Sequence, residues 1–455
     1  MSTQEASALE MSSGPLTRRL LRFALPVMFT GILQLLYNAA DIVVVGQFGG
    51  GHASVAAVGS TGALVNLLVN LFMGVSVGAN FLAAKLAGAK DTAGLRRCIH
   101  CAVGASVIIG VLAGIVGFFT STPLLRLMDS PEDVLPLSSL YLKIYFLGMP
   151  ALVVYNFGAA ILRALGDTKR PLVYMAISGM VNVVLNLFFV CVCKLDVAGV
   201  AIATSVSQFL SAFLVLRCLT KRQEEFRLVL REIRLHKEPL VEMLRTGIPA
   251  GLQGVLFSLS NVIVQSAINP FGSAAMAGNS AASSLEGFIY TALNAFYQAT
   301  LTFISHNLGA KNYHRILQVF WQCLAMVAIL GISLCGLLYL FHDFFLGLYI
   351  SPEDGELAQV LETGRLRIGC ISIFQFLGGF MEIGCGGQRG LGRTWLPTLV
   401  TFFGSCALRI IWVHTVFASV GTLESLYISY PISWALTFLV HCACFFPTIY
   451  HKMRA

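Results

Sequence analysis

Polar residues along this chain come in short clusters, and between them run apolar stretches of about twenty residues or more. The stretches fall near 23–45, 59–84, 98–120, 138–162, 171–194, 198–217, 246–268, 280–305, 319–341, 366–386, 396–418 and 426–449, with ends good to about four residues. A helix needs about 20 mostly apolar residues to cross the roughly 30 Å hydrocarbon core of a bilayer. The pattern therefore predicts an all-α integral membrane protein with about twelve spanning helices. A β-barrel is excluded because its strands would alternate apolar and polar positions over about ten residues.

The pattern occurs twice. Arg22-Phe23-Ala24-Leu25-Pro26 returns as Arg245-Thr246-Gly247-Ile248-Pro249, and Gly88-Ala89-Lys90-Asp91 as Gly309-Ala310-Lys311-Asn312. Ser130-Pro131-Glu132-Asp133 recurs unchanged at Ser351-Pro352-Glu353-Asp354, both reading as helix starts with a Ser cap and acids at the positive dipole end. Arg163-Ala164-Leu165-Gly166, with Thr168 and Pro171, matches Arg389-Gly390-Leu391-Gly392, with Thr394 and Pro397. Order is preserved and the offsets stay between 221 and 226 positions, so a six-helix unit has been duplicated. An even span number per half makes the repeats parallel, related by a pseudo-twofold axis along the membrane normal. The expected organisation is a cytoplasmic tail 1–15, an N-lobe 16–217, a cytoplasmic linker 218–244, a C-lobe 245–450 and a cytoplasmic tail 451–455.

Composition agrees: 56% of residues are hydrophobic and 11% charged, against about 25% charged in soluble domains. With the N-terminus inside, 24 of the 30 Lys and Arg fall in cytoplasmic segments, where basic residues resist translocation. Arg126, Lys143, Lys194, Arg365, Arg367 and Arg409 remain for the outer loops and the membrane, with Arg367 near the outer mouth. The net charge of +8 is thus topology, and no nucleic-acid partner is expected. The basic stretch 217–245 interleaves Glu224, Glu225, Glu232, Glu238 and Glu242 and reads as a solvated amphipathic connector.

Other motifs have bland explanations. The 12 cysteines lie mostly within apolar spans, where cysteine acts as a small hydrophobe, and Cys98 and Cys101 lack the second pair that a zinc site requires. Gly74 and Gly78, Gly110 and Gly114, and Gly247 and Gly251 are small-xxx-small pairs that pack neighbouring helices. His100, His306, His414 and His441 are scattered, so no enzyme site is indicated.

Ionisable residues within spans are costly and mark function by default. Asp41 shares one face of the first span with Thr30, Gln34, Tyr37 and Asn38, at spacings of three, four and seven. Ser178, Asn182 and Asn186 make a comparable stripe on the fifth span. The second half has Glu286, Glu382 and Arg409 in its eighth, tenth and eleventh spans, and Asn261 and Gln265 on its seventh. The acids do not repeat: Asp41 aligns with Val264, and Glu382 with Asn156. A structural alternative is that Glu286 or Glu382 forms a packing ion pair with Arg409. Tyr37, Tyr155, Phe288, Tyr290, Tyr297 and Phe374 offer apolar or cation-π surfaces to flat cations, or simply pack helices.

The chain resembles the multidrug and toxic compound extrusion (MATE) transporters of the multidrug/oligosaccharidyl-lipid/polysaccharide flippase superfamily. The resemblance runs from Leu16 to about Tyr450. It rests on Pro26, Gln34, Tyr37 and Asp41-Ile42-Val43-Val44-Val45-Gly46, on Gly88-Ala89-Lys90-Asp91, and on Arg163-Ala164-Leu165-Gly166-Asp167-Thr168-Lys169. It implies two six-helix lobes around a central cleft, and export of lipophilic organic cations by alternating access in exchange for H+ or Na+. It also implies a monomer in the bacterial inner membrane, with no cofactor beyond the coupling ion. The family's first-span acid falls on Asp41 and its tenth-span acid on Glu382. Coupling-ion candidates are Asp41, whose surroundings are compatible with H+ or Na+, with Asn38, Asn182, Asn186, Glu286 and Glu382. Substrate candidates are Gln34, Tyr37, Tyr155, Asn156, Asn261, Gln265, Tyr290 and Arg409. One departure matters: many members carry Asn-x-x-x-Asp in the fifth span, whereas this chain has Asn182 and Asn186, so Asp41 must act with neutral partners. Pro26 and Pro249, at matched positions, are the expected bend points. A lipid-linked oligosaccharide flippase is the alternative, and it calls for several basic residues at membrane depth.

Overall fold

The computed structural model describes residues 11–49, 52–128, 131–132, 134–222, 226–349 and 357–454. Most of the twin Ser-Pro-Glu-Asp segments, like the outermost residues of both expected tails, lies outside the described residues. The long helices of the first half are α1 (Leu16–Phe48), α2 (His52–Gly88), α3 (Thr92–Leu127), α4 (Leu135–Ala164), α5 (Lys169–Leu187) and α6 (Asp196–Thr220). The second half has α7 (Lys237–Ile268), α8 (Ser273–Gly309), α9 (Tyr313–Leu340), a short α10 (His342–Gly347), α11 (Leu357–Cys370) and α12 (Gln375–Gly390). Then come α13 (Trp395–Thr401), α14 (Leu408–Trp412), α15 (Ala418–Val420) and α16 (Leu423–Arg454). Among the described residues there are no strands. Two π-helical turns, Phe402–Ala407 and Val413–Phe417, join α13 to α15 into one span, and α11 and α12 form another across a 3₁₀ turn at Ser372–Phe374.

Among the described residues, eleven helical stretches are long and apolar enough to cross a membrane. The predicted span 280–305 lies in α8, which is not among them. The reason is compositional: α8 buries Asn279, Glu286, Gln298, Thr300, Thr302, Ser305, His306 and Asn307, and those polar groups lower its hydropathy while its neighbours shield them. Large apolar side chains such as Phe119, Leu340 and Met180 are more than 70% exposed, as lipid-facing positions of a membrane protein should be.

The repeated motifs are repeated backbone chemistry. In the first half α2 ends with Lys90 in the left-handed region (φ 57°), its N–H on Ala87 O at 3.1 Å and that of Asp91 on Leu86 O at 3.1 Å. In the second, α8 ends with Lys311 (φ 55°), bonded to Leu308 O at 3.2 Å, and Asn312, bonded to Asn307 O at 2.9 Å. This pair of bonds closes a helix C-terminus. Asp91 and Asn312 then cap the next helices, accepting from Gly94 N at 2.8 Å and Arg315 N at 3.2 Å. Gly166 (φ 81°) and Gly392 (φ 82°) end α4 and α12 in the same way.

By contacts the chain divides into two units. One comprises Phe29–Gly251; the other gathers Met11–Met28 and Leu252–Ala455. The expected lobes followed whole helices, whereas these boundaries fall inside α1 and α7, two residues beyond Pro26 and Pro249. Both helices continue through their prolines, so each helix has ends with different neighbours. In the second unit Leu20, Phe23 and Ala24 enter the apolar cluster built on α8, α9 and α16, with Phe23 edge-on to Phe303 at 5.6 Å. Arg315 holds the preceding segment by donating to the carbonyls of Met11, Ser13 and Gly14 at 3.0, 2.7 and 2.9 Å.

In the first unit α2 and α7 meet through their glycines. A Cβ on Gly74 would come within 2.3 Å of Gly251 Cα, and one on Gly78 within 1.9 Å of Met243 O. Gly110 and Gly114 likewise lie against Pro150 and Phe146 of α4. The backbones approach this closely only because no side chain intervenes. Replacing Gly78 with leucine is accordingly expected to cost at least about 2 kcal/mol through overpacking, measured as a lowered Tm in detergent; an unchanged Tm would show that the α2–α7 contact is not tight.

Candidate functional site

The first unit brings α1, α5 and α6 together around one buried carboxylate. Asp41 is 6% exposed. The Asn186 amide donates to its Oδ1 at 2.6 Å, and the Thr204 hydroxyl to its Oδ2 at 3.1 Å. The Asn182 amide donates to Thr204 Oγ1 at 3.2 Å, and Asn186 also donates to Asn182 Oδ1 at 3.2 Å. Asn186 Oδ1 is buried without a partner. Every group bonded to Asp41 is therefore neutral, and the charge is solvated by dipoles but not cancelled. The oxygens of Asp41, Asn182, Asn186 and Thr204 are hard donors suited to a proton or a small monovalent cation. Among the described residues no three His, Cys, Asp or Glu side chains cluster as a metal site.

The remaining first-half candidates surround this network unevenly. Ser178 turns to its own helix, bonding Tyr174 O at 2.8 Å. The Tyr37 hydroxyl donates to Met175 O, and its ring lies where Gly179 leaves room. Thr30 and Gln34 are half-buried and Asn38 is exposed. Tyr155 is buried with its hydroxyl on Pro171 O at 3.2 Å, and Asn156 is 9% exposed with its amide nitrogen unpartnered.

In the second unit the two acids lie in separate clusters. Glu286 is 7% exposed and is gripped by Arg367 of α11, Nε to Oε1 at 3.1 Å and a terminal nitrogen to Oε2 at 2.6 Å. Ser372 donates to Oε1 at 2.9 Å. Arg367 also donates to Asn279 Oδ1 at 2.6 Å, and the Asn279 amide to Gln265 Oε1 at 2.8 Å. Asn261, one helical turn before Gln265, is exposed. Arg367, placed by sequence near the outer mouth, is 6% exposed and neutralises Glu286. Arg409 pairs with neither acid: its guanidinium lies 4.0 Å over Tyr430 and 5.5 Å from Trp434, with Nε on Ser433 Oγ at 3.0 Å.

Glu382 is 6% exposed and has no hydrogen bond or ion pair among the described residues; the cation acting on it is Arg389. Arg389, placed by sequence among the cytoplasmic segments, is 3% exposed. It bonds Tyr297 OH at 2.7 Å, Gln253 Oε1 at 2.7 Å and Thr398 Oγ1 at 3.2 Å, partners that exist only inside the bundle. Tyr290 and Phe374 are 49% and 41% exposed, and Phe288 is half-buried. Sequence reading missed Thr204, Asn279, Arg367 and Arg389. Asn279 carried a signal, since it precedes Glu286 by seven residues and so shares its helix face.

A duplicated bundle of long apolar helices with carboxylates held inside it is the architecture of a membrane transporter. The chain belongs to the MatE family, whose profile matches residues 26–188 and 249–413, one match in each repeat. It is 28% identical over 448 residues to the probable multidrug resistance protein YoeA of Bacillus subtilis (strain 168), covering 96% of this chain and 95% of that one. To the probable multidrug resistance protein NorM of Thermotoga maritima it is 23% identical over 402 residues, covering 86% and 84%. Its fold matches the outward-facing structure of a multidrug resistance MATE family transporter of the MOP superfamily, with a TM-score of 0.90 and 21% identity over 98% of this chain and 99% of that one.

Breaking a buried pair from one side strands the other charge, at a cost of about 3–5 kcal/mol. Arg367→Leu should therefore lower the Tm more than Glu286→Gln combined with Arg367→Leu, in which no buried charge is left alone. Equal losses in the two proteins would mean that Glu286 is not held as a carboxylate.

Proposed function

We propose that this chain is a secondary efflux transporter that exports lipophilic organic cations, drugs among them, by alternating access in exchange for H+ or Na+. The observation carrying this reading is the Asp41 carboxylate, buried among neutral donors only. A charge that the protein solvates without cancelling is one that a bound ion can cancel. A proton on Asp41 would remove an acceptor from Asn186 or Thr204; Na+ would instead draw on the oxygens of Asn182, Asn186 and Thr204. Either event alters the bonds that tie α1 to α5 and α6. Glu382, free of a bonded cation among the described residues and near the partly exposed Tyr290, suits a cationic substrate whose hold weakens when the acid is neutralised. Glu286 is a poorer coupling site, since Arg367 already neutralises it. The multidrug resistance names of the two relatives support the substrate class.

The distribution of Lys and Arg supports cytoplasmic N- and C-termini in the inner membrane, with the lobes near 16–217 and 245–450 acting as the moving parts of a monomer. Pro26 and Pro249 are the proposed bend points. The flippase reading gains from three buried arginines, Arg367, Arg389 and Arg409. It is weaker because Arg367 and Arg389 are committed to Glu286, Asn279, Tyr297, Gln253 and Thr398, leaving Arg409 alone for a pyrophosphate.

Proteoliposomes given an imposed pH or Na+ gradient should export a fluorescent organic cation under one of them. Asp41→Asn should cut the initial rate at least about tenfold, while Glu382→Gln should raise KM more than it lowers kcat. Export by Asp41→Asn at the wild-type rate would remove Asp41 from coupling. No cation movement under either gradient, from folded protein, would favour the flippase.

A further inference from the structure

The basic connector between α6 and α7 is fastened along one face of α3. Arg96 donates two hydrogen bonds to Glu232 at 2.9 and 2.7 Å. The Val229 N–H donates to His100 Nε2 at 3.0 Å, so the ring proton is on Nδ1, which donates to Arg96 O at 2.7 Å. The Cys101 thiol reaches His236 O at 3.5 Å. Ile233 and Leu235 cover Gly104, where a Cβ would come within 3.1 and 3.5 Å of them. Residues 96, 100 and 104 share one helix face, which is why the connector follows the helix.

Between connector and helix lies a cavity of about 450 Å³, lined by Arg97, Arg231, Arg234, His100, His236 and the Arg96–Glu232 pair. Glu232 neutralises Arg96. Arg97, Arg231 and Arg234 are exposed and have no ion pair among the described residues, leaving three guanidinium groups around one concavity. Guanidinium forks match phosphate oxygens bidentately. Two observations choose the source of the phosphate. Leu230 and Leu235, on the connector beside these arginines, are 62% and 46% exposed, an apolar flank that a soluble phosphate does not need and an acyl chain does. The 36 residues of α3 span about 54 Å, well beyond the roughly 30 Å hydrocarbon core, and the end that carries Arg96 and Arg97 beside the basic connector is the one suited to headgroup level.

We propose that this cavity binds the phosphate of an anionic phospholipid headgroup, held by Arg97, Arg231 and Arg234, with Leu230 and Leu235 against the acyl chains. The site is independent of the transport reading. Native mass spectrometry of the full-length delipidated protein tests it, with dioleoylphosphatidylglycerol, dioleoylphosphatidylcholine and inorganic phosphate as separate probes. Phosphatidylglycerol should be retained in preference to phosphatidylcholine. Arg97→Gln with Arg231→Gln and Arg234→Gln should weaken it on the order of 100-fold, about fivefold per charge, and Leu230→Ser with Leu235→Ser should weaken phosphatidylglycerol but not inorganic phosphate. Equal retention of the two lipids, or phosphatidylglycerol binding untouched by the triple substitution, overturns the site. Inorganic phosphate binding as tightly as phosphatidylglycerol, and lost in the same variant, overturns the lipid as its ligand. Should the triple variant not elute as a single species, Arg97→Gln alone carries the same reading at about fivefold.

Discussion

A polar atom drawn into a bundle of apolar helices has no water to turn to, and its partner must come from another helix. That constraint organises both halves of this protein. Around Asp41 the partners are an amide and a hydroxyl, from α5 and α6. Around Glu286 they are a bidentate guanidinium and a serine, from α11 and the turn that follows it. Both solutions join three pieces of chain, yet they differ electrostatically. Dipoles lower the cost of a buried charge without removing the charge, whereas Arg367 removes it. Of the three acids, Glu286 is the one whose charge a bonded guanidinium meets, fastening α8 to α11, while Asp41 and Glu382 have no bonded cation among the described residues.

The duplication explains why one architecture carries two chemistries. What has been kept is what the backbone requires: the left-handed lysines at the ends of α2 and α8, the Asp91 and Asn312 caps, and the positive-φ glycines after α4 and α12. These positions answer to geometry, which is the same in both repeats. The positions that face the interior have diverged. Val264, aligned with Asp41, is 1% exposed and sits in an apolar cluster with Ile268, Ile371 and Tyr427. Asn156, aligned with Glu382, is a buried neutral amide.

Hydropathy made the spans legible because a bilayer selects apolar length, and each predicted span lies on a helix or, for 366–386 and 396–418, on helices joined through 3₁₀ or π-helical turns. The ends were less legible: α7 starts at Lys237, nine residues before its predicted span, since a helix continues into the polar headgroup zone where apolarity stops. The stripe of Asn182 and Asn186 could be read from its spacing of four, and Asp41 from its rarity. Thr204 could not, being one small polar residue among several on α6. The partners of Arg367 and Arg389 were illegible for a deeper reason. Charge counting assigns an arginine to a loop unless a partner is known, and Glu286, Tyr297 and Gln253 are 81, 92 and 136 residues away in sequence. Only the tertiary fold supplies them.

The chemistry at Asp41 bears on more than its own pocket because of how α1 is anchored. Beyond Pro26 the helix is held through Asp41 to α5 and α6; before it, Leu20 and Phe23 lie in the apolar cluster of the second unit, and Arg315 grips the segment that leads in. Helix α7 is built likewise, with Gly247 against Val75 on one side of its boundary and Gln265 in the Asn279–Arg367 network on the other. Proline withholds one rung of the helical ladder at the matched point in each. A bend there costs less than elsewhere along the helix, while both flanking segments stay fixed by contacts that are expensive to break. On the reading proposed above, rearranging the bonds on Asp41 would act on α1 between these two anchors, with Pro26 as the point where bending costs least.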